Sequence, residues 1–339
     1  LVAQLSGVDI AIAGGGDNLL ANPGDELIPG DDAAGPYPDV SVQNADGATV
    51  PIITTQGQYE YIGVLTVEFD DDGNLTSIDA DNSGPVRNFT PDGIPPDAGA
   101  VANIESPVQA YVDGLATNVI ATNRVPLDGI TDNVRARETN LGNLIADALL
   151  AGAEARLADF GVDDSIPLIA IQNGGGIRDN RLYGENGQIT ELDTFDVLPF
   201  GNTLAVVESV TTEQLLNSLE NAVSRVVPVD GEPQRQGGGT GRFAQVAGLS
   251  FSYALYGTAL ELDAEGNVVT PGNRIIDVIL DDGTVLVQKG EVVNDILLNI
   301  ATLSFTAGGG DQYFYDFEQE FTLLGIGDQP TLQEYLEGE

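Results

Sequence analysis

The chain has 339 residues, 42% of them apolar, enough for two domains of ordinary size with sizeable cores. Twelve Lys and Arg stand against 53 Asp and Glu, and the net charge of −41 repels nucleic-acid phosphates and anionic lipid surfaces, excluding both as partners. Cys, His, Met and Trp are absent, which excludes Cys nucleophiles, disulfides, Ser-His-Asp triads and zinc sites built on imidazole or thiolate.

Leu1 to Leu5 reads as the tail of a helix, and Val8 to Ala13 as a short buried strand running into Gly14-Gly15-Gly16. Pro51 to Thr55 and Tyr59 to Phe69 are β-rich and alternating. Asp70-Asp71-Asp72-Gly73-Asn74 supplies the turn into a partner strand ending near Ile78, a hairpin that closes a sheet. Asp70 to Asp72 and Asp79-Ala80-Asp81 offer oxygens, yet neither completes a calcium-loop pattern, and both read as solvated turns. After a Pro, Gly and Asp-rich linker from Pro85 to Pro96, residues Val101, Ile104, Val108, Tyr111, Val112 and Leu115 recur at helical spacing and mark a connecting helix.

The second half begins near Ala116. Asn140 to Asp159 is the longest helical pattern, with Leu141, Leu144, Ile145, Ala148 and Leu149 on one face and Thr139 or Asn140 as its N-cap. A strand from Ile166 to Gln172 ends in Asn173-Gly174-Gly175-Gly176, and Thr211 with Gln214 forms a capping-box pattern opening a helix to about Val226. Strands follow near Val246 to Ala254, Arg274 to Leu280 and Asp295 to Phe305, the last ending in Gly308-Gly309-Gly310. Strand, Gly-rich loop and helix in this rhythm indicate an α/β or mixed α+β domain with a site on its loops. Asp, Glu, Asn or Gly interrupts every apolar stretch before the roughly 18 to 20 residues of a membrane span, so no membrane insertion is expected. The chain opens at Leu1 without the charged and apolar regions of a leader, so a removed leader or a larger parent chain is expected.

Cations are scarce enough for their positions to carry information. Lys289 is the single Lys, and four of the eleven Arg, at 135, 137, 178 and 181, flank two consecutive motif-like segments. An Arg fork binds phosphate or carboxylate in bidentate fashion, so Arg residues near a Gly-rich loop with free backbone N–H groups point to an anionic ligand. The alternative is pairing of each Arg with a nearby carboxylate such as Glu138 or Asp179. Phe200 and Phe305 stand beside loop residues Gly201 and Thr306 and either stack on a planar base or fill the core.

Five segments together carry a resemblance: Glu138 to Ala148, Asn173-Gly-Gly-Gly-Ile-Arg178, Leu198-Pro-Phe-Gly-Asn-Thr203, Gly241-Arg-Phe-Ala-Gln-Val-Ala-Gly248 and Phe305-Thr-Ala-Gly-Gly-Gly-Asp311. Their order and spacing resemble the C-terminal substrate-binding domain of the 5′-nucleotidase family, with Thr331 to Leu336 as its terminal helix. The resemblance implies a base sandwich by Phe200 and Phe305, ribose binding by Asp311, ribose and phosphate binding by Arg135 and Arg178, and contact with the base edge by Asn173. Gly175 lies in the same binding loop, and Arg137 is expected to pair with a carboxylate. Residues 1–96 resemble the end of a metallophosphoesterase domain, through Asp9 to Gly14 and Tyr61-Ile-Gly-Val-Leu65. The family's divalent metal pair needs His and carboxylate ligands, but Gly15 and Asp17 occupy two His positions, leaving Asp17 as the one weak metal candidate and no cofactor expected on this chain.

The expected fold is therefore α/β to α+β. A partial metallophosphoesterase sandwich (1–96) and a connecting helix (97–115) precede a nucleotidase C-terminal domain of mixed sheet and helices (116–339). The expected partner is a nucleotide or nucleoside, with self-assembly or a larger parent chain beside it, in an extracellular or periplasmic setting. One reading makes the chain part of a secreted nucleotide phosphohydrolase whose metal site is missing or altered here. The other makes it a non-catalytic acidic extracellular protein of the same fold. On either reading the uncompensated carboxylates repel one another, and added cations screen that repulsion. The melting midpoint should rise between low and molar NaCl and with millimolar calcium; a midpoint indifferent to both removes the acidic-surface argument.

Overall fold

Contacts divide the computed structural model, which describes residues 1–339 apart from 15–17, 58, 90–92, 94, 237–240, 317, 319 and 339, into two units, Leu1–Glu105 and Ser106–Glu339. In the first unit, Val2–Gln4 forms a single 3-10 turn. Only Ala11–Ile12 of the expected buried strand is β, paired in parallel with Ile52–Ile53, and Ile12 is 80% exposed. A strand of two pairing residues with one neighbour has little to bury itself against, so apolar composition alone misleads here. The acidic turn does form: Val67–Phe69 pairs antiparallel with Leu75–Ile78, and Asp70 Oδ1 accepts from the backbone N–H groups of Asp72 and Asn74. Tyr61–Val64 pairs instead with Gly84–Arg87, so the β-rich stretch makes two ribbons rather than one hairpin. Asp97 caps Ala98–Ala100, and a π-helical stretch, Val101–Glu105, ends this unit.

The second unit opens with the helix Ser106–Thr117, where Leu115 is buried while Val108 and Tyr111 are exposed. Its centre is a five-stranded mixed sheet, in the order Ala244–Ala247, Leu168–Asn173, Leu297–Leu303, Thr203–Thr211 and Phe321–Gly327. Leu168–Asn173 and Leu297–Leu303 are parallel, with Ile300 opposite Ile169, and the other neighbours are antiparallel. Thr203–Thr211 and Phe321–Gly327 were not among the expected strands. Period-two alternation sends Leu204 and Val206 to one face of the sheet and Ala205 and Val207 to the other. The first face packs on Ala146, Leu149 and Ala153 of the helix Asn140–Glu154. The second packs on Leu215 and Leu219 of the helix Thr212–Val223 and on Val278, Leu286 and Val287 of a four-stranded antiparallel sheet spanning Leu249–Val292.

Local chemistry sets the helix ends. Thr139 Oγ1 accepts from the Gly142 N–H at 3.0 Å, as expected of an N-cap. The helix it starts stops at Glu154 rather than Asp159, where Arg156 turns back to donate to the Gly152 carbonyl at 3.0 Å and pairs with Glu334 at 2.6 Å. Thr211 and Gln214 form the expected capping box, with backbone-to-side-chain bonds of 3.2 and 2.8 Å. Thr190 and Asp193 form a second box, which opens the helix Glu191–Val197. Removing the first box by Thr211→Ala should lower unfolding free energy by about 1 kcal/mol, read from denaturant midpoints; an unchanged midpoint means the helix is held by packing alone.

Candidate functional site

Because Leu168–Asn173 and Leu297–Leu303 are parallel and Thr203–Thr211 runs against them, three loops emerge at one end of the sheet, beside the C-termini of the first two strands and the N-terminus of the third. They are Asn173–Gly176, the short helix Ser304–Ala307 with the glycines behind it, and Phe200–Asn202. The glycines are sterically obligatory. A Cβ on Gly174 would run into the Val134 carbonyl, and one on Gly175 would lie 2.7 Å from Gly241 Cα. The backbone N–H groups of these two residues are not free, contrary to the sequence expectation. They donate to the carbonyls of Phe243 (2.8 Å) and Gly241 (2.7 Å), extending the edge pairing with Ala244–Ala247. The turn thus supplies close approach rather than an anion nest.

All seven residues singled out in the sequence, Arg135, Asn173, Gly175, Arg178, Phe200, Phe305 and Asp311, line one cleft of about 480 Å³. Phe200 and Phe305 are 56% and 49% exposed there, far above what core packing would leave, and the two rings do not touch each other. The Arg178 guanidinium lies 5.0 Å from the Phe200 ring centre, and its Nη1 donates to the Gly175 carbonyl at 3.4 Å. Gly310 makes room for the other ring, since a Cβ there would sit 2.5 Å from Phe305 Cε1. Asn173 Nδ2 donates to Asp311 Oδ2 at 2.8 Å, and the other amide atom, Oδ1, accepts from Gln172 Nε2 at 3.2 Å.

Among the described residues neither Arg135 nor Arg178 forms an ion pair. Arg135 Nε is buried without a hydrogen-bond partner. Burial first, then the neighbouring Arg178 and Arg235, press the Arg135 guanidinium below its ordinary pKa. The Asp311 and Asp132 carboxylates offset part of that repulsion without pairing with Arg135, and an anion in the cleft would relieve more of it.

The other two arginines follow different courses. Arg181 takes the structural role: it pairs with Asp179, Asp193 (3.0 Å) and Asp196 (2.8 Å) and lies 4.3 Å from the Tyr183 ring centre. Arg137 was expected to pair with a carboxylate, and among the described residues it does not. It is exposed beside a second cleft of about 440 Å³ along the sheet edge Ala244–Ala247, and Glu138 binds Asn143 Nδ2 instead (2.7 Å). Gly15 and Asp17, the altered metal positions, lie outside the described residues. Asn202, Gly176 and Gly241 also line the main cleft and were not singled out, although each falls inside a quoted motif.

The family description "5′-nucleotidase, C-terminal domain" matches residues 119–318. The chain is similar to the 5′-nucleotidase of Homo sapiens, 31% identical over 97% of this chain and 52% of that protein. It is also similar to the snake venom 5′-nucleotidase of Macrovipera lebetinus, 30% identical over 92% of this chain and 69% of that one. Among solved structures, the 5′-nucleotidase precursor from Thermus thermophilus superposes with a TM-score of 0.55 at 29% identity, covering 99% of this chain and 58% of that one. The chain spans about half the length of the first curated relatives it matches.

The unrelieved charge gives a prediction whose sign runs against ordinary core mutations. Replacing Arg135 by Met removes a partly buried, unpaired guanidinium and its repulsion of Arg178, so the ligand-free chain should melt at the same temperature or higher. A loss of more than about 2 to 4 °C in a thermal scan, equivalent to roughly 1 kcal/mol at this size, would show that Arg135 holds the fold together.

Proposed function

The chain belongs to the 5′-nucleotidase family, and from that premise we propose that the cleft among the loops at the end of the sheet binds a nucleoside or nucleoside monophosphate, as the substrate-binding part of a nucleotide phosphohydrolase. The observation that carries this reading is the coexistence, in one cleft, of two exposed phenylalanine rings and two guanidiniums without ion pairs in a chain with 53 carboxylates. Phe200 and Phe305 take the two faces of the base, whose flat π surface suits aromatic rings of any orientation about the stacking axis. Asp311 accepts from the ribose hydroxyls. Arg135 and Arg178 neutralise the phosphate, and Arg178, already against Phe200, bridges the base and phosphate ends.

The family's hydrolytic group is a divalent metal pair, which would supply an activated water and neutralise charge developing on phosphorus. The donors in this chain do not fit it. There is no His or Cys in the sequence, and among the described residues no group of three or more carboxylates is placed to share a cation. No hydrolytic step is assigned to these residues; a second reading, a relative that binds nucleosides without cleaving them, rests on Gly15 and Asp17 standing at the two His positions of the resemblance. Secretion is part of the proposal; one similar protein is a snake venom 5′-nucleotidase, and among the described residues no helix is long and apolar enough to cross a membrane.

Calorimetric titration of adenosine and AMP into the chain should detect both, and Phe305→Ala should weaken them roughly tenfold or more, since stacking is worth about 1–3 kcal/mol per base. No heat at millimolar ligand would sink the binding reading. The same chain should leave AMP intact with added Mn²⁺, Zn²⁺ or Co²⁺. Chelator-sensitive turnover above a buffer control would instead place a working metal site on these residues.

A further inference from the structure

Asp311 sits on a turn that an unconstrained chain would not adopt. Within four residues Asp311 (φ 56°), Gln312 (φ 60°) and Phe314 (φ 55°) all lie in the left-handed region, next to Gly309 at φ 87°. Non-glycine residues remain in that region only where their surroundings over-determine them, and such strain gathers at functional sites. What over-determines this turn is a polar network beneath the cleft.

Asn221, fully buried on the helix Thr212–Val223, donates Nδ2 to the Asp311 carbonyl at 3.0 Å. Its Oδ1 accepts from Arg242 Nη1 at 2.8 Å. Arg242 Nη2 reaches Gln312 Oε1 at 3.2 Å, and the Arg242 carbonyl accepts from Tyr313 Oη–H at 2.6 Å. Gln312 Nε2 donates onward to the Asp263 carbonyl at 3.1 Å. One guanidinium thus links Asn221, which holds the Asp311 carbonyl, to Gln312 beside it, and does so through neutral acceptors. The fork on Asn221 and Gln312 holds the helix and the turn together.

We infer that Arg242 and Asn221 are positioning residues that keep the Asp311 carboxylate facing the cleft, and so set the preference of the site for ribosides over ligands without vicinal hydroxyls. The inference rests on the nucleoside-binding reading above. With the network cut, the turn relaxes out of the left-handed region and carries the carboxylate away. The aromatic rings are held separately, on the Phe200–Asn202 loop and the Ser304–Ala307 helix, and keep their stacking.

The test is calorimetric titration of the full chain with adenosine and with 2′,3′-dideoxyadenosine, which differ only in the two hydroxyls. The wild type should prefer adenosine by about tenfold or more, and Asp311→Ala should erase that preference. Arg242→Lys keeps the charge but cannot span Asn221 and Gln312; it should bind the dideoxy compound as the wild type does while its preference falls to within about threefold of unity. Gln312→Ala, at a half-buried position, should have the same effect and serves if Arg242→Lys does not fold. Gln312→Glu, which still accepts from Arg242, should restore the preference. A purely structural role would weaken both ligands together and leave their ratio alone, and a folded variant with the wild-type ratio overturns the inference while leaving the binding site in place. A wild type that binds neither compound overturns both the inference and the reading beneath it, and one that binds both equally overturns the inference alone.

Discussion

Two loops of the second unit pass each other closer than side chains permit, and the cleft depends on that passage. Gly174 lies against the Val134 carbonyl and Gly175 against Gly241 Cα, so the strand Leu168–Asn173 can end in a turn whose N–H groups bond the segment Gly241–Phe243. That bonding brings Gly241 beneath Asp311, where a Cβ would lie 3.0 Å from Oδ2, and leaves Asn173 free to reach the same carboxylate. It also brings Val134 and Arg135 alongside the turn. Placing any side chain at 174 or 175 would separate the loops and disperse Arg135, Asn173 and Asp311 together. The glycines therefore act as a steric requirement for assembling the site, and their contact with ligand is secondary.

Around this frame the distribution of positive charge divides by use. Arg181, Arg156 and Arg235 pair with carboxylates and stay on the structural side. Arg274 is buried and bonds the carbonyls of Gly257, Val223 and Val226, while Glu220 accepts from the backbone N–H groups of Arg274 and Ile275. Arg137 also forms no ion pair among the described residues; Arg135 and Arg178 are the two such arginines that line the main cleft. In a chain with so many carboxylates, an unpaired guanidinium is harder to maintain than a paired one, because any mobile acidic side chain within reach would neutralise it. The neighbouring loop residues are glycines, Phe and Asn, none of which can do so; Asp311, the carboxylate among the described lining, is held by Asn173 and by its own backbone turn, and nearby Asp132 pairs with Arg235.

What was legible in the sequence was mostly local. The caps at Thr139 and Thr211 were legible because a Ser or Thr with its partner three residues on satisfies an N-terminal N–H wherever the helix lies. The seven cleft residues were legible through their motifs. The use of the Gly174 and Gly175 N–H groups was not, because it depends on a segment some seventy residues away whose pairing no local pattern encodes. Arg135 and Arg137, two residues apart, flank the buried Ala136 and line different clefts, and the absence of a carboxylate partner for Arg137 among the described residues was not legible from its acidic neighbours. In the first unit, Val8 to Ala13 has the composition of a core strand, but one short parallel neighbour provides nothing to cover Ile12. Composition states what a segment is able to bury, and topology decides whether it does.

The chain's overall field and its local field act in opposite directions on an anionic ligand. At long range a net charge of −41 repels a nucleoside monophosphate more strongly than an uncharged nucleoside. On the proposed reading Arg135 and Arg178 attract it within the cleft. At physiological salt the repulsion is screened over about 8 to 10 Å, whereas contacts at hydrogen-bond distance in a partly desolvated cleft lose much less. Salt should therefore favour the phosphate-bearing ligand over the nucleoside by removing the opposing term first, until the ionic strength is high enough to weaken the guanidinium contacts as well. On the same reading, affinity for the base would have no such dependence, since the proposed stacking on Phe200 and Phe305 involves no net charge. A surface this acidic and a cleft holding two unpaired arginines are compatible because their forces act over different lengths.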